Sequence, residues 1–92
     1  MKPVRFSEHA QSRLRQRGAT EEEILECIHQ SPRAAQHGGR FSARKIFLFG
    51  GISPVNNQQY RFKTIEPIFA EEPDEIVVVT VKVYYSNEET DS

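Results

Sequence analysis

The stretch Glu75-Ile76-Val77-Val78-Val79-Thr80-Val81-Lys82-Val83-Tyr84-Tyr85 decides the fold. It is rich in β-branched and aromatic residues and contains no Gly or Pro, so it reads as a strand. Side chains alternate between the two faces of a strand. The odd positions, Val77, Val79, Val81, Val83 and Tyr85, form one face, and Ile76, Val78, Thr80, Lys82 and Tyr84 form the other. Both faces are largely apolar, which predicts a central strand. The all-valine face is expected to meet helices. The opposite face shows Thr80, Lys82 and Tyr84, a polar set that packing alone does not require.

Moving upstream, Glu71-Glu72-Pro73-Asp74 reads as a turn and Tyr60–Ile65 as a strand ended or bent by Pro67. Gly50 to Asn57 is a loop by composition. Phe41–Phe49 is a strand with Phe41, Ala43, Phe47 and Phe49 on one side and Lys45 interrupting them. Arg33–Gln36 is a short strand leading to turn residues His37-Gly38-Gly39. Before Pro32 the period changes from two to 3.6. Thr20 and Glu23 make a capping box ahead of the apolar positions Ile24, Leu25, Cys27 and Ile28. Ser7 caps an earlier helix from Glu8 to about Arg17, with Ala10 and Leu14 as its narrow buried line and Gly18 as its C-terminal stop. The expectation is an α+β fold, with two N-terminal helices packed on a mostly antiparallel four-stranded sheet. Residues 1–92 make a single domain, with a polar, frayed tail at 86–92.

The 92 residues carry 37% hydrophobic and 10% aromatic residues, a folded rather than a disordered composition. The longest apolar run is Ile76–Val79, far below the roughly 20 residues of a membrane helix. No apolar leader follows Met1-Lys2, and Cys27 is alone. These features point to the cytoplasm and exclude a disulfide scaffold. The net charge of −1 hides an asymmetry. Residues 1–63 hold eleven Lys/Arg and five Asp/Glu, a net of +6, whereas residues 64–92 hold one and eight, a net of −7. Any contact with nucleic acid must therefore be local.

His9, Arg13 and Arg17 fall at i, i+4 and i+8 of the first helix, one polar stripe beside Ala10 and Leu14. An imidazole moves protons near neutral pH, and guanidinium groups match phosphate oxygens. Arg61, Lys63, Lys82 and Tyr84 are candidates for substrate binding, and Thr80 for completing the catalytic set. Each has a plainer reading. His9 can serve a backbone carbonyl or a carboxylate, and Arg13 and Arg17 can pair with Glu21–Glu26 across the helices. Thr80 suits any strand. His29 and His37 read as solvated, and Cys27 as a small core residue. The three His are scattered, so neither a metal nor a cofactor is expected.

The run Phe6-Ser7-x-His9-Ala10-x-x-Arg13-x-x-x-Arg17-Gly18, then Thr20-x-x-Glu23-Ile24, Pro32, and finally Val78-Val79-Thr80-Val81, resembles the domain-of-unknown-function 4258 family. That family is similar to RelE/ParE-like toxins and to the metal-independent ribonucleases that include barnase and colicin-type toxins. The resemblance spans Val4 to Tyr85 and implies an α-α-β-β-β-β fold. It also implies catalytic groups at His9, Arg13, Arg17 and Thr80, with RNA as substrate and an antitoxin protein as partner. The chain departs from a compact toxin in its long Ile52–Gln59 loop and acidic Glu71–Glu75 turn.

Two functions follow from these residues. In the first, His9 acts as base or acid in metal-free RNA cleavage, while the arginines hold the phosphate. In the second, the domain is a non-catalytic module that binds RNA or protein. The two differ in geometry: catalysis requires His9 and a cation to share a cleft with Thr80.

Overall fold

A computed structural model describes residues 2–88. The elements run β1 (Val4–Phe6), α1 (Glu8–Arg17), α2 (Glu21–Gln30), β2 (Arg33–Ala35), a 3₁₀ turn (His37–Gly39), β3 (Phe41–Ala43), β4 (Lys45–Ile52), β5 (Gln59–Glu71) and β6 (Ile76–Ser86). The α+β class holds, but the four-stranded, mostly antiparallel sheet does not. The sheet has six strands and is mixed, in the order β1-β6-β5-β3-β2, with β4 also on β5. The missed strand, β1, runs parallel to β6, with Val4, Arg5 and Phe6 opposite Ile76, Val77 and Val78. Three residues after Pro3 are too few to show a period of two.

The helices form where the capping residues place them. The Ser7 hydroxyl accepts from Ala10 N at 3.0 Å, and Gly18 closes α1 in the left-handed region at φ 82°. A β-carbon at Gly18 would fall 2.5 Å from the Tyr85 hydroxyl, so glycine is required there for space as well as for conformation. Thr20 and Glu23 complete their capping box at the start of α2. Both helices cover one face of the sheet. Ala10, Leu14, Ile24, Cys27 and Ile28 share a core with Ile65, Phe69, Ile76, Val78 and Val81. Cys27 is fully buried, and burial pushes its thiol up to about 12.

The face of β6 that meets the helices is not one parity throughout. Ile68 pairs with Thr80 but Phe69 pairs with Val78, which leaves Val79 as an extra residue in a β-bulge. Ser7 fastens the bulge: its N–H donates to Val78 O and its hydroxyl to Val79 O, both at 3.0 Å. Before the bulge Ile76 and Val78 face the helices; after it Val81, Val83 and Tyr85 do. The expected all-valine helix face is thus corrected at Val77, which lies on the other side.

Two further boundaries differ from expectation. Phe41–Phe49 is not one strand; it breaks at Arg44 into β3 and β4, which pair with successive parts of β5. Pro67 does not end β5. It lies between Ile65, opposite Lys45, and Ile68, opposite Ser42, where the β3–β4 break demands no backbone donor. Strand β4 continues through Gly50 and Gly51 to Ile52, and the loop is confined to residues 53–58. Of the expected tail, Ser86 belongs to β6, and residues 89–92 lie outside the described residues.

Candidate nucleic-acid interface

The sheet has one face under the helices and one without them, and the candidate residues divide between the two sides. On α1, His9 is exposed and Arg13 and Arg17 are half-buried. Arg13 Nε donates to His9 Nε2 at 3.4 Å, and Arg13 Nη1 to Gln16 Oε1 at 3.4 Å. These contacts are long for hydrogen bonds. Among the described residues, Arg13 and Arg17 form no salt bridge with Glu21–Glu26, so that plainer reading does not apply. The backbone carbonyl of Arg17 accepts from the Tyr85 hydroxyl at 2.5 Å.

Lys63 lies on the helix side and is occupied there. Its Nζ donates to Gly18 O at 2.8 Å and pairs with Glu23 Oε1 at 3.0 Å, with the side chain only 8% exposed. The same Glu23 oxygen accepts from Thr20 N in the capping box. Lys63 therefore ties β5 to the turn between the helices. As a substrate-binding group it is corrected: a buried, paired ammonium has no free donor face for a phosphate.

Thr80, Lys82 and Tyr84 project from the opposite face. They stand across from Ile68, Glu66 and Thr64, while Val81 and Val83, their neighbours, pack on the helix side. The sheet separates this set from His9, Arg13 and Arg17, so the catalytic set inferred from sequence is not gathered in one cleft. The structure instead adds Arg44 to Lys82 and Tyr84. The Arg44 guanidinium lies 5.5 Å from the Tyr84 ring centroid, and its Nε stands 3.5 Å from Glu66 Oε2. Tyr84 is 46% exposed. Further along, Leu48 stands opposite Phe62, and the Arg61 guanidinium lies 5.7 Å from the Phe62 ring.

Arg44 and Leu48 were absent from the sequence-derived site, although a signal for them existed. Once Phe41, Ala43, Phe47 and Phe49 are assigned to one side, Ser42, Arg44, Ile46 and Leu48 must occupy the other. Among the described residues no cluster of His, Cys, Asp or Glu could hold a metal ion. No helix is long and apolar enough to cross a membrane.

The open face sets aromatic rings beside cations, groups whose chemistry suits flat rings and anions. Tyr84 and Phe62 offer rings, the Arg44 guanidinium offers a plane, and Arg44, Arg61 and Lys82 supply positive charge against Glu66. Comparison with family models, characterised proteins and solved structures finds no match to this chain.

Proposed function

We propose that this domain binds single-stranded RNA across the open face of its sheet, as a module of the RelE/ParE-like kind that its sequence resembles. The observation that carries this reading is the exposed Tyr84 ring with Arg44 5.5 Å away and Lys82 on the same strand face. Bases stack on tyrosine rings and guanidinium planes, while lysine and arginine neutralise phosphates. Only a few cations contribute, so affinity falls gently with salt, as for about two or three phosphate contacts. An antitoxin partner, if it covers this face, competes with RNA.

Fluorescence anisotropy with a labelled single-stranded RNA tests the reading at low salt. Tyr84→Ala is expected to weaken binding by roughly 5- to 150-fold, the equivalent of one lost stacking contact of about 1–3 kcal/mol. Its melting temperature should stay near that of the wild type. The reading is abandoned if the wild type does not bind, or if Tyr84→Ala binds as well as the wild type.

A second reading rests on the His9–Arg13 contact. The cleft shared with Thr80 that the sequence reading required is not formed, so what remains of that reading is an exposed imidazole beside a guanidinium, a pair whose chemistry suits metal-free phosphodiester cleavage at α1. In the observed rotamer Arg13 occupies the lone pair that a general base would use, so substrate phosphate would have to draw the guanidinium away. RNA cleavage in excess EDTA that drops about 100-fold or more in His9→Ala supports this reading. RNA binding without cleavage leaves the module reading alone.

A further inference from the structure

The outer strands of the sheet differ in length and protection. Strands β1 and β2 are three residues each. Strand β4 has eight residues, Lys45-Ile46-Phe47-Leu48-Phe49-Gly50-Gly51-Ile52, and among the described residues it pairs only with β5. Half of its backbone donors and acceptors therefore face outward. Short strands and charges are the usual defences against unwanted edge pairing. Here Lys45 is the single charge, and it turns inward to Glu26 and Gln30 of α2. Leu48, next on the open face after Ile46, is 86% exposed, more than any other large hydrophobic residue described.

We propose that β4 is a pairing edge for a second copy of this chain, joined antiparallel about a two-fold axis at Phe47. Residues directly opposite each other in an antiparallel ladder share a face, so a two-fold axis must fall on a residue rather than between two. At Phe47 the register places Ile46 opposite Leu48 of the second copy, and Leu48 opposite its Ile46. Both pairs lie on the open face. On the helix face, Phe47 meets its own copy and Lys45 meets Phe49. No like charges oppose each other. The next allowed register, centred on Leu48, sets Ile46 against Gly50, which has no side chain to cover it and sits at φ 65°. The register at Phe47 also uses the regular part of the strand, since β4 is irregular only between Leu48 and Gly51. The other long open edge, β6 beyond Val78, carries the exposed Lys82.

A second copy is favoured over a foreign segment because the edge satisfies itself: one sequence supplies both halves of every pair, as an isologous interface requires. The contact does not use Tyr84 or Lys82, which belong to β6, although Leu48 lies on the same open face.

Sedimentation velocity of the full chain over a concentration series, up to about 1 mM, tests the proposal. The wild type is expected to shift from monomer to dimer, and Leu48→Lys to stay monomeric with unchanged circular dichroism. Hydrogen exchange on the wild type is the second measurement: protection of residues 46–48 should rise with concentration. A wild type that remains monomeric throughout overturns the proposal. So does a dimer that survives Leu48→Lys, or one that forms with no change in exchange at residues 46–48.

Discussion

Tyr84 and Tyr85 are consecutive residues with opposite fates. Tyr85 points to the helices. Its ring lies 5.2 Å from Phe49 and 5.6 Å from Tyr60, and its hydroxyl donates to Arg17 O. Tyr84 points to the open face and shares its ring with Arg44. Lys63 and Lys82 repeat the contrast, the first buried against Glu23 and Gly18, the second exposed across from Glu66. The helix face has consumed its polar groups in joining elements together. The open face keeps Lys82 and the Tyr84 ring exposed, with Arg44 engaged by that ring and by Glu66.

The largest test of this contrast is the lysine pair. Lys63→Ala removes the cation from a largely buried ion pair and leaves both Glu23 and the Gly18 carbonyl short of a donor. A loss of about 2–4 kcal/mol in folding stability is expected by urea denaturation. Lys82→Ala should change stability by less than about 0.5 kcal/mol. Equal effects from the two would show that the faces do not differ as described.

How much of this could be read beforehand follows the range of the interactions. The helices were legible because their signals are local: Ser7, Gly18 and the Thr20–Glu23 box act within four residues of the backbone groups they satisfy. Strand β6 was legible from its composition. Its facing was not, because the bulge at Val79 is set by Ser7, more than 70 positions away in sequence. Strand β1 stayed hidden for the same reason, since it exists only through its pairing with β6. Pro67 misled because its missing N–H matters only if a partner strand lies opposite, and the break at Arg44 removes that partner.

The candidate site was half legible. Thr80, Lys82 and Tyr84 were correctly grouped on one face, since the bulge precedes all three. Lys63 was misplaced. It alternates with Ile65 and therefore belongs to the helix side, but only the arrival of Glu23 and Gly18 shows that its charge is already spent. His9 and Arg13 were rightly seen as neighbours, four residues apart on a helix. Their relation to Thr80 depends on which face of the sheet α1 covers, which no local pattern encodes.

The tyrosine pair sharpens the comparison on a finer scale. Tyr85→Phe deletes one hydroxyl and leaves the Arg17 carbonyl without that donor, at the end of α1. A cost of about 1 kcal/mol is expected, visible as a lower urea midpoint at constant slope. Tyr84→Phe should cost less than about 0.5 kcal/mol and keep RNA binding, because stacking needs the ring and not the hydroxyl. Loss of RNA binding in Tyr84→Phe would mean that the hydroxyl itself makes the contact.

The smallest effect is expected where the helix face reaches its rim. Glu71 is held between Lys2 and Arg33, whose hydrogen bonds pull its carboxyl down to about 2 from an ordinary 4.5. Arg33 in turn lies 5.4 Å from the Phe41 ring and 5.2 Å from the Phe69 ring, so the pair closes one end of the core. A carboxylate whose folded value is depressed favours the native state above its unfolded value. That contribution fades as the pH falls from about 4.5 towards 2. Glu71→Gln should therefore melt slightly below the wild type at pH 7, and the gap should close on acidification through that window. Because the three side chains are about one-third exposed, added salt should shrink the gap at pH 7 as well. A gap that persists at pH 2 would mean that Glu71 acts by packing at the core's rim, and that its charge contributes little.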